Sequence, residues 1–242
     1  MTEGRNGLIV ALDVNERGRA IELVDALKGQ AGMFKVGMEL FYSTGGGIVR
    51  DIKEKGCRVF LDLKLHDIPN TVARSCRVLT ALGPDIVNVH ASGGPDMMRE
   101  AAAAVRDEAA KLGVPAPMVI AVTILTSIDR EMLNGRLGIP GEVRDCVVRW
   151  SSLALDCGLD GVVSSPLEVA AIREACGPGF KIITPGVRPA GAETGDQRRV
   201  TTPSGAIKAG ADYIVVGRPI TASADPRESA KKIVEEIKGC AV

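Results

Sequence analysis

Eight short apolar runs, separated by longer segments of helical period, constrain this chain more than any other feature of it. They are LIVALD (8–13), MFKVG (33–37), RVFLDLK (58–64), DIVNVH (85–90), MVIAVTIL (118–125), GVVSS (161–165), KIITPG (181–186) and DYIVVG (212–217). Each has the length and β-branched content of a buried strand. Between them lie helical segments. GRAIELVDALKG (18–29) places apolar residues at 20, 21, 24 and 27 and stops at Gly29. The Ala-rich segment 96–113 also stops at a glycine, as helices do. The last segment, 225–239, opens with Asp225 as N-cap, Pro226 at the first helical position and Glu228 three residues after the cap, a capping-box pattern. Eight strands alternating with helices in 242 residues predict an α/β protein, a (β/α)8 or TIM barrel, as one domain over 1–242. A doubly wound open sheet is the alternative.

Composition narrows the function. Lys plus Arg equals Asp plus Glu at 30 each, and aromatics make up 3%. That is neither the basic footprint of a nucleic-acid binder nor a set of stacking platforms for bases. No apolar run reaches the length of a membrane span, and the N-terminus does not read as a signal peptide. The six cysteines show no C-x-x-C spacing. They read as reduced, mostly buried thiols of a cytoplasmic protein.

The chemistry of such a barrel gathers at the C-terminal ends of its strands, and polar residues sit there: Asp13, Lys35, Asp62 and Lys64, Asn88 and His90, Thr123 running into Thr126 and Ser127, Ser164 and Ser165, Pro185 to Arg188, and Gly217 with Arg218. The stretch FLDLKLHDIPNT (60–71) is the most informative. Asp62 and Lys64 lie two apart, so a regular strand points both to one face. Asp67 follows before a proline. Burying any one of Lys35, Asp62, Lys64 and Asp67 unpaired would cost several kcal/mol, whereas alternating signs share that cost. The bland reading is a structural ion-pair network at a barrel mouth. The functional one is an ammonium, Lys64, held charged by carboxylates and ready to donate a proton.

A second constellation is the Gly-rich segment 186–205, a long irregular loop containing Arg188 and Gln197, with Arg218 following the eighth run. Loops after strands seven and eight often form a phosphate site in this fold, and arginine with freed backbone N–H groups suits a dianion. His90 reads as a structural hydrogen bonder, and His66 as a cap for Asp67. No His/Asp/Glu cluster has convincing metal spacing, although Asp62 and Asp67 are the acids a Mg²⁺ would use.

These residues resemble a known family. LDLKLHDIPNT (61–71) is similar to the D-x-K-x-x-D-I-x-x-T signature of orotidine 5′-monophosphate decarboxylases of bacterial type. ALDV (11–14), FKVGMELF (34–41), VTILTS (122–127), PGVRPAGAETGDQRRVTTP (185–203) and ADYIVVGRPI (211–220) match in order. The resemblance implies decarboxylation of orotidine 5′-monophosphate to uridine 5′-monophosphate and CO2, the last step of de novo UMP synthesis, with no cofactor and no metal. It implies that Asp13 and Lys35 hold the ribose hydroxyls, that Asp62 sits beside the substrate carboxylate, and that Lys64 protonates carbon 6. Asp67, Ile68 and Thr71 are expected to reach into the neighbouring subunit's site in a homodimer. Thr126 and Ser127 are expected at the pyrimidine, with Pro185, Arg188, Gln197, Gly217 and Arg218 around the phosphate. Two alternatives remain: a Mg²⁺-dependent keto-gulonate 6-phosphate decarboxylase or hexulose phosphate synthase relative, and a non-catalytic binder of phosphorylated ligands.

Overall fold

The computed structural model describes residues 6–189 and 201–240. Eight parallel strands close into a barrel in chain order: β1 (Leu8–Ala11), β2 (Met33–Gly37), β3 (Val59–Leu65), β4 (Ile86–His90), β5 (Met118–Val122), β6 (Gly161–Val163), β7 (Lys181–Thr184) and β8 (Tyr213–Val216). β1 pairs with β8 to shut the ring. All eight runs are strands, but most stop short of their expected C-terminal ends. β5 ends at Val122 rather than 125, and β6 at Val163 rather than 165. One further backbone bond follows the ends of β1, β5 and β6, from Leu12 N–H to Lys35 O at 3.0 Å, Thr123 N–H to Val163 O at 3.1 Å and Ser164 N–H to Ile183 O at 3.1 Å, and the residues beyond these belong to loops.

The flanking helices are α1 (Arg17–Leu27), α2 (Met38–Thr44), α3 (Gly47–Glu54), α4 (Pro69–Thr80), α5 (Gly94–Leu112), α6 (Val143–Asp156), α7 (Val169–Cys176), α8 (Pro203–Lys208), α9 (Arg218–Thr221) and α10 (Pro226–Lys238). α5 ends as expected at Gly113, whose φ of 66° is left-handed. The N-cap of α10 is Asp225, which accepts the Glu228 N–H at 3.0 Å. α8 begins inside the stretch expected to be irregular up to 205, because the Thr202 hydroxyl caps it by accepting the Gly205 N–H at 3.1 Å.

Two apolar layers result. Outward-facing Val10, Phe34, Leu61 and Val87 pack against helix residues such as Leu23, Val72 and Val105. Inside the barrel, Ile9, Met33, Phe60, Ile86, Ile120 and Ile183 fill the floor. Fully burying each such side chain stabilises by roughly 1.5–3 kcal/mol. The period of two then carries the inward face upward from Ile9 to Ala11, Met33 to Lys35, Phe60 to Asp62 and Ile86 to Asn88. The polar residues of the site therefore stand on an apolar floor.

The opposite end holds a repeat that sequence reading misses. Gly83-Pro84-Asp85, Gly158-Leu159-Asp160 and Gly210-Ala211-Asp212 precede β4, β6 and β8. Each glycine has positive φ. Each aspartate then accepts a backbone N–H near the start of the preceding strand: Val59 at 2.7 Å, Val119 at 2.7 Å and Ile182 at 2.9 Å. These N–H groups lie at the barrel's lower edge, where the carboxylates supply them with a partner.

Candidate active site

The site begins with a local break in the ladder. Leu61 pairs with Val87 and Leu65 with Val89, so β3 spends residues 62–64 opposite the single residue Asn88. Lys64 has φ of 54° and, among the described residues, is the one non-glycine with positive φ. A left-handed turn of this kind costs on the order of 1–2 kcal/mol for a residue with a β-carbon. Simple alternation along a regular strand therefore does not explain how Asp62 and Lys64 come together; this bulge does. It brings the Lys64 Nζ to 2.7 Å from Asp62 Oδ1.

Asp62 is the centre of a chain of charges. Its Oδ2 lies 3.3 Å from Lys35 Nζ, which in turn lies 3.1 Å from Asp13 Oδ1. Burial alone would raise the Asp62 pKa, but Lys35 and Lys64 outweigh it, helped by hydrogen bonds from Lys64 and Asn88, and hold the carboxyl below its ordinary range. Burial would likewise depress Lys35, yet Asp62 and Asp13 keep its ammonium above its usual value. The four charges sum to zero. Within one chain, Asp13 thus fills the place that sequence reading gives to Asp67. A β-carbon on Gly37 would lie 3.1 Å from Lys35 Nζ, and one on Gly217 would lie 3.2 Å from Asp13 Oδ2. Both glycines keep room for this chain.

These side chains line one wall of a cavity of about 360 Å³. Val122, Ile124, Leu125 and Val163 supply an apolar patch; Thr126, Ser127, Ser164 and Ser165 add hydroxyl-bearing residues, and Pro185, Gly186, Arg188, Gly217 and Arg218 complete the rim. Burial, and then the like charge of Arg218, push the Arg188 guanidinium below its ordinary value. An edge where two guanidiniums oppose each other favours an anion between them. The Arg188 N–H donates to Thr201 O at 2.9 Å, which ties the two described ends of that loop together. Gln197 lies outside the described residues.

Asp67, Ile68 and Thr71 do not line this cavity. All three are exposed at the start of α4, and Asp67 Oδ1 accepts the Ile68 N–H at 2.7 Å. His66 does not cap Asp67. Its ring stacks on His90, with centroids 5.4 Å apart and planes at 27°. His90 is a structural hydrogen bonder, its Nδ1 2.7 Å from the Ser92 hydroxyl. Asn88 is visible in the sequence as a polar strand end but receives no role there, and it lies at the heart of the bulge. Its Nδ2 donates to Asp62 Oδ1 at 2.7 Å, and its Oδ1 accepts the Lys64 N–H at 2.7 Å. Among the described residues no three His, Cys, Asp or Glu side chains gather to hold a metal ion. Nor is any helix among them long and apolar enough to cross a membrane.

A closed parallel barrel with a cavity lined by a lysine–aspartate array and two arginines has the build of a TIM-barrel enzyme with a site for an anionic substrate. The model of the orotidine 5′-phosphate decarboxylase / HUMPS family matches residues 6–233. The chain belongs to that family. An orotidine 5′-phosphate decarboxylase of Moorella thermoacetica is 58% identical over 97% of this chain and 93% of its own length. One from Syntrophomonas wolfei is 53% identical over 98% of this chain and 99% of its own. Among solved structures, an orotidine 5′-phosphate decarboxylase from Lactobacillus acidophilus superposes with a TM-score of 0.82 at 36% identity, covering 95% of this chain and 98% of that one.

Proposed function

We propose that this chain decarboxylates orotidine 5′-monophosphate to uridine 5′-monophosphate and CO2, the step that completes UMP in pyrimidine biosynthesis. The observation that carries the reading is the ion chain Asp13–Lys35–Asp62–Lys64 facing Arg188 and Arg218 across one cavity. It is joined by relatives more than half identical that bear the name of this decarboxylase.

Loss of CO2 leaves an electron pair at carbon 6 in the plane of the pyrimidine, where the ring π system cannot take it up. A fixed cation at that point lowers the barrier. Lys64 is that cation in our reading, and it then passes its proton to carbon 6. Asp62 aims it and lies beside the departing carboxylate, while the apolar patch of Val122, Ile124 and Val163 receives the uncharged CO2. Asp13 and Lys35 hold the ribose hydroxyls, Thr126 and Ser127 the pyrimidine edge, and Arg188, Gln197, Arg218 and the Gly217 N–H the phosphate beside Pro185. The phosphate lies far from carbon 6, so its binding energy can be used to organise the reacting end. The lysine array supplies the positive charge itself, which supports a reaction without metal or cofactor.

The exposed Asp67, Ile68 and Thr71 fit a homodimer in which each chain completes its partner's site. Ile68 is 67% exposed, so its side chain is open to contact by a second chain. Free cysteines throughout the described residues fit a reducing cytoplasm.

Turnover by Lys64→Ala and Asp67→Ala, alone and mixed, tests both halves of this reading. Each variant alone is expected to lose at least about a thousandfold in kcat. If subunits exchange, the mixture regains about a quarter of wild-type activity, because half the dimers are mixed and each of those keeps one intact site. Near-wild-type turnover by Lys64→Ala would remove its role as proton donor. A folded, exchanging mixture with no recovery would remove the shared site.

A further inference from the structure

The array of charges does not hold itself in place, since each ion pair is a single contact that a flexible side chain can abandon. The rigid element is neutral. Asn88 is 1% exposed on β4, opposite the three-residue excursion of β3. Its amide spans that excursion. One end donates to Asp62 Oδ1, and the other accepts the backbone N–H of left-handed Lys64, both at 2.7 Å. We propose that Asn88 is a positioning residue for the decarboxylation: it fixes the carboxylate of Asp62 and the backbone of Lys64 together, so that the ammonium is aimed before substrate arrives.

The chemistry of the side chain singles out an amide. Asp62 Oδ1 already accepts Lys64 Nζ, so a second partner there must be a donor. The Lys64 N–H needs an acceptor, because the bulge removes it from the regular ladder. Asn or Gln offers one donor and one acceptor on a planar fork at any pH, whereas a carboxyl does so only when protonated, and Asn has the length seen here. A carboxylate would confront Asp62 with a like charge. An aliphatic side chain of equal size would leave both groups unsatisfied. Being neutral, Asn88 orients Asp62 without disturbing the zero charge of the chain Asp13–Lys35–Asp62–Lys64. It touches neither the rim arginines nor Asp13 and Lys35 through any hydrogen bond seen here, so binding of the nucleotide should not depend on it.

The test compares Asn88→Ala and Asn88→Asp with the wild type, measuring kcat on orotidine 5′-monophosphate, the affinity for uridine 5′-monophosphate, and both against pH. Small misplacements of a reacting group cost on the order of a hundredfold, so kcat of Asn88→Ala should fall about 10- to 100-fold while product affinity stays within about threefold. Asn88→Asp is the isosteric control and carries the test if the alanine variant does not fold. Protonated, the introduced carboxyl offers the amide's pattern of one donor and one acceptor. The groups facing it are Asp62 and Lys64 on β3, with Lys35 behind them on β2 and His90 further along β4; β5 brings no titratable side chain. The deficit of Asn88→Asp should therefore shrink as pH falls, while that of Asn88→Ala does not change. Three results would overturn the proposal: kcat of both variants within threefold of wild type, an equal loss of product affinity, or an Asn88→Asp deficit indifferent to pH. The inference rests on the decarboxylase reading. A wild-type protein that fails in the same assay ends that reading, whereas a working wild type beside unimpaired variants ends only this one.

Discussion

Lys64 reaches the cavity through a backbone conformation that residues with a β-carbon avoid, and the contacts made by Asn88 and Asp62 are what hold it there. Next to it, the stacked His66 and His90 rings carry a second consequence. Burial first, then the positive fields of His66 and Lys64, push His90 down from 6.5 to about 4. In the unfolded chain His90 takes its proton near 6.5, so below that pH the unfolded state binds more protons than the folded one. Stability is therefore intact above about 6.5 and is lost as pH falls from there to about 4. Discounted for the solvent that still reaches the ring, the loss is about 1–2 kcal/mol. Denaturant melts across this window should show the decline, and His90→Gln should flatten it. An identical slope in the variant would assign the decline to other groups.

At the level of elements, the two ends of the barrel divide their duties. The C-terminal rim carries the charges and the bulge, whereas the N-terminal rim carries the Gly-x-Asp turns before β4, β6 and β8. Asp160→Ala would leave the Val119 N–H without its side-chain partner, which costs about 1–3 kcal/mol for a buried donor. Because Asp160 lies at the far end from the cavity, kcat should be unchanged. A parallel loss of kcat in a fully folded variant would mean that the two ends are coupled. The alternation of β-branched runs with helical segments makes all eight strands legible, and the polar residues at their C-terminal ends mark the rim. The bulge is not legible, because two charged residues two apart read as ordinary alternation. A ladder shift depends on a neighbouring strand that local pattern does not contain. For the same reason the sequence places neither Asp13 in the ion chain nor Asn88 in the bulge, since both act through contacts across strands. The repeated turns escape notice because each is only three residues long.

Across the whole molecule, an apolar floor, a neutral chain of four charges and a cationic rim lie in order from the barrel's interior to its mouth. That order matches a substrate with its reacting pyrimidine at one end, a ribose between, and a phosphate at the other. It also predicts that the protein's own ammonium groups, rather than a metal ion, stabilise the developing carbanion. This is where the decarboxylase separates from its Mg²⁺-dependent alternatives. The most direct measurement is the ultraviolet absorbance of orotidine 5′-monophosphate mixed with the purified protein, with and without EDTA. Stabilisation by Lys64 predicts rapid loss of the substrate band at the same rate in both. No loss, or a loss that EDTA stops, would contradict it and would require a different role for Lys64.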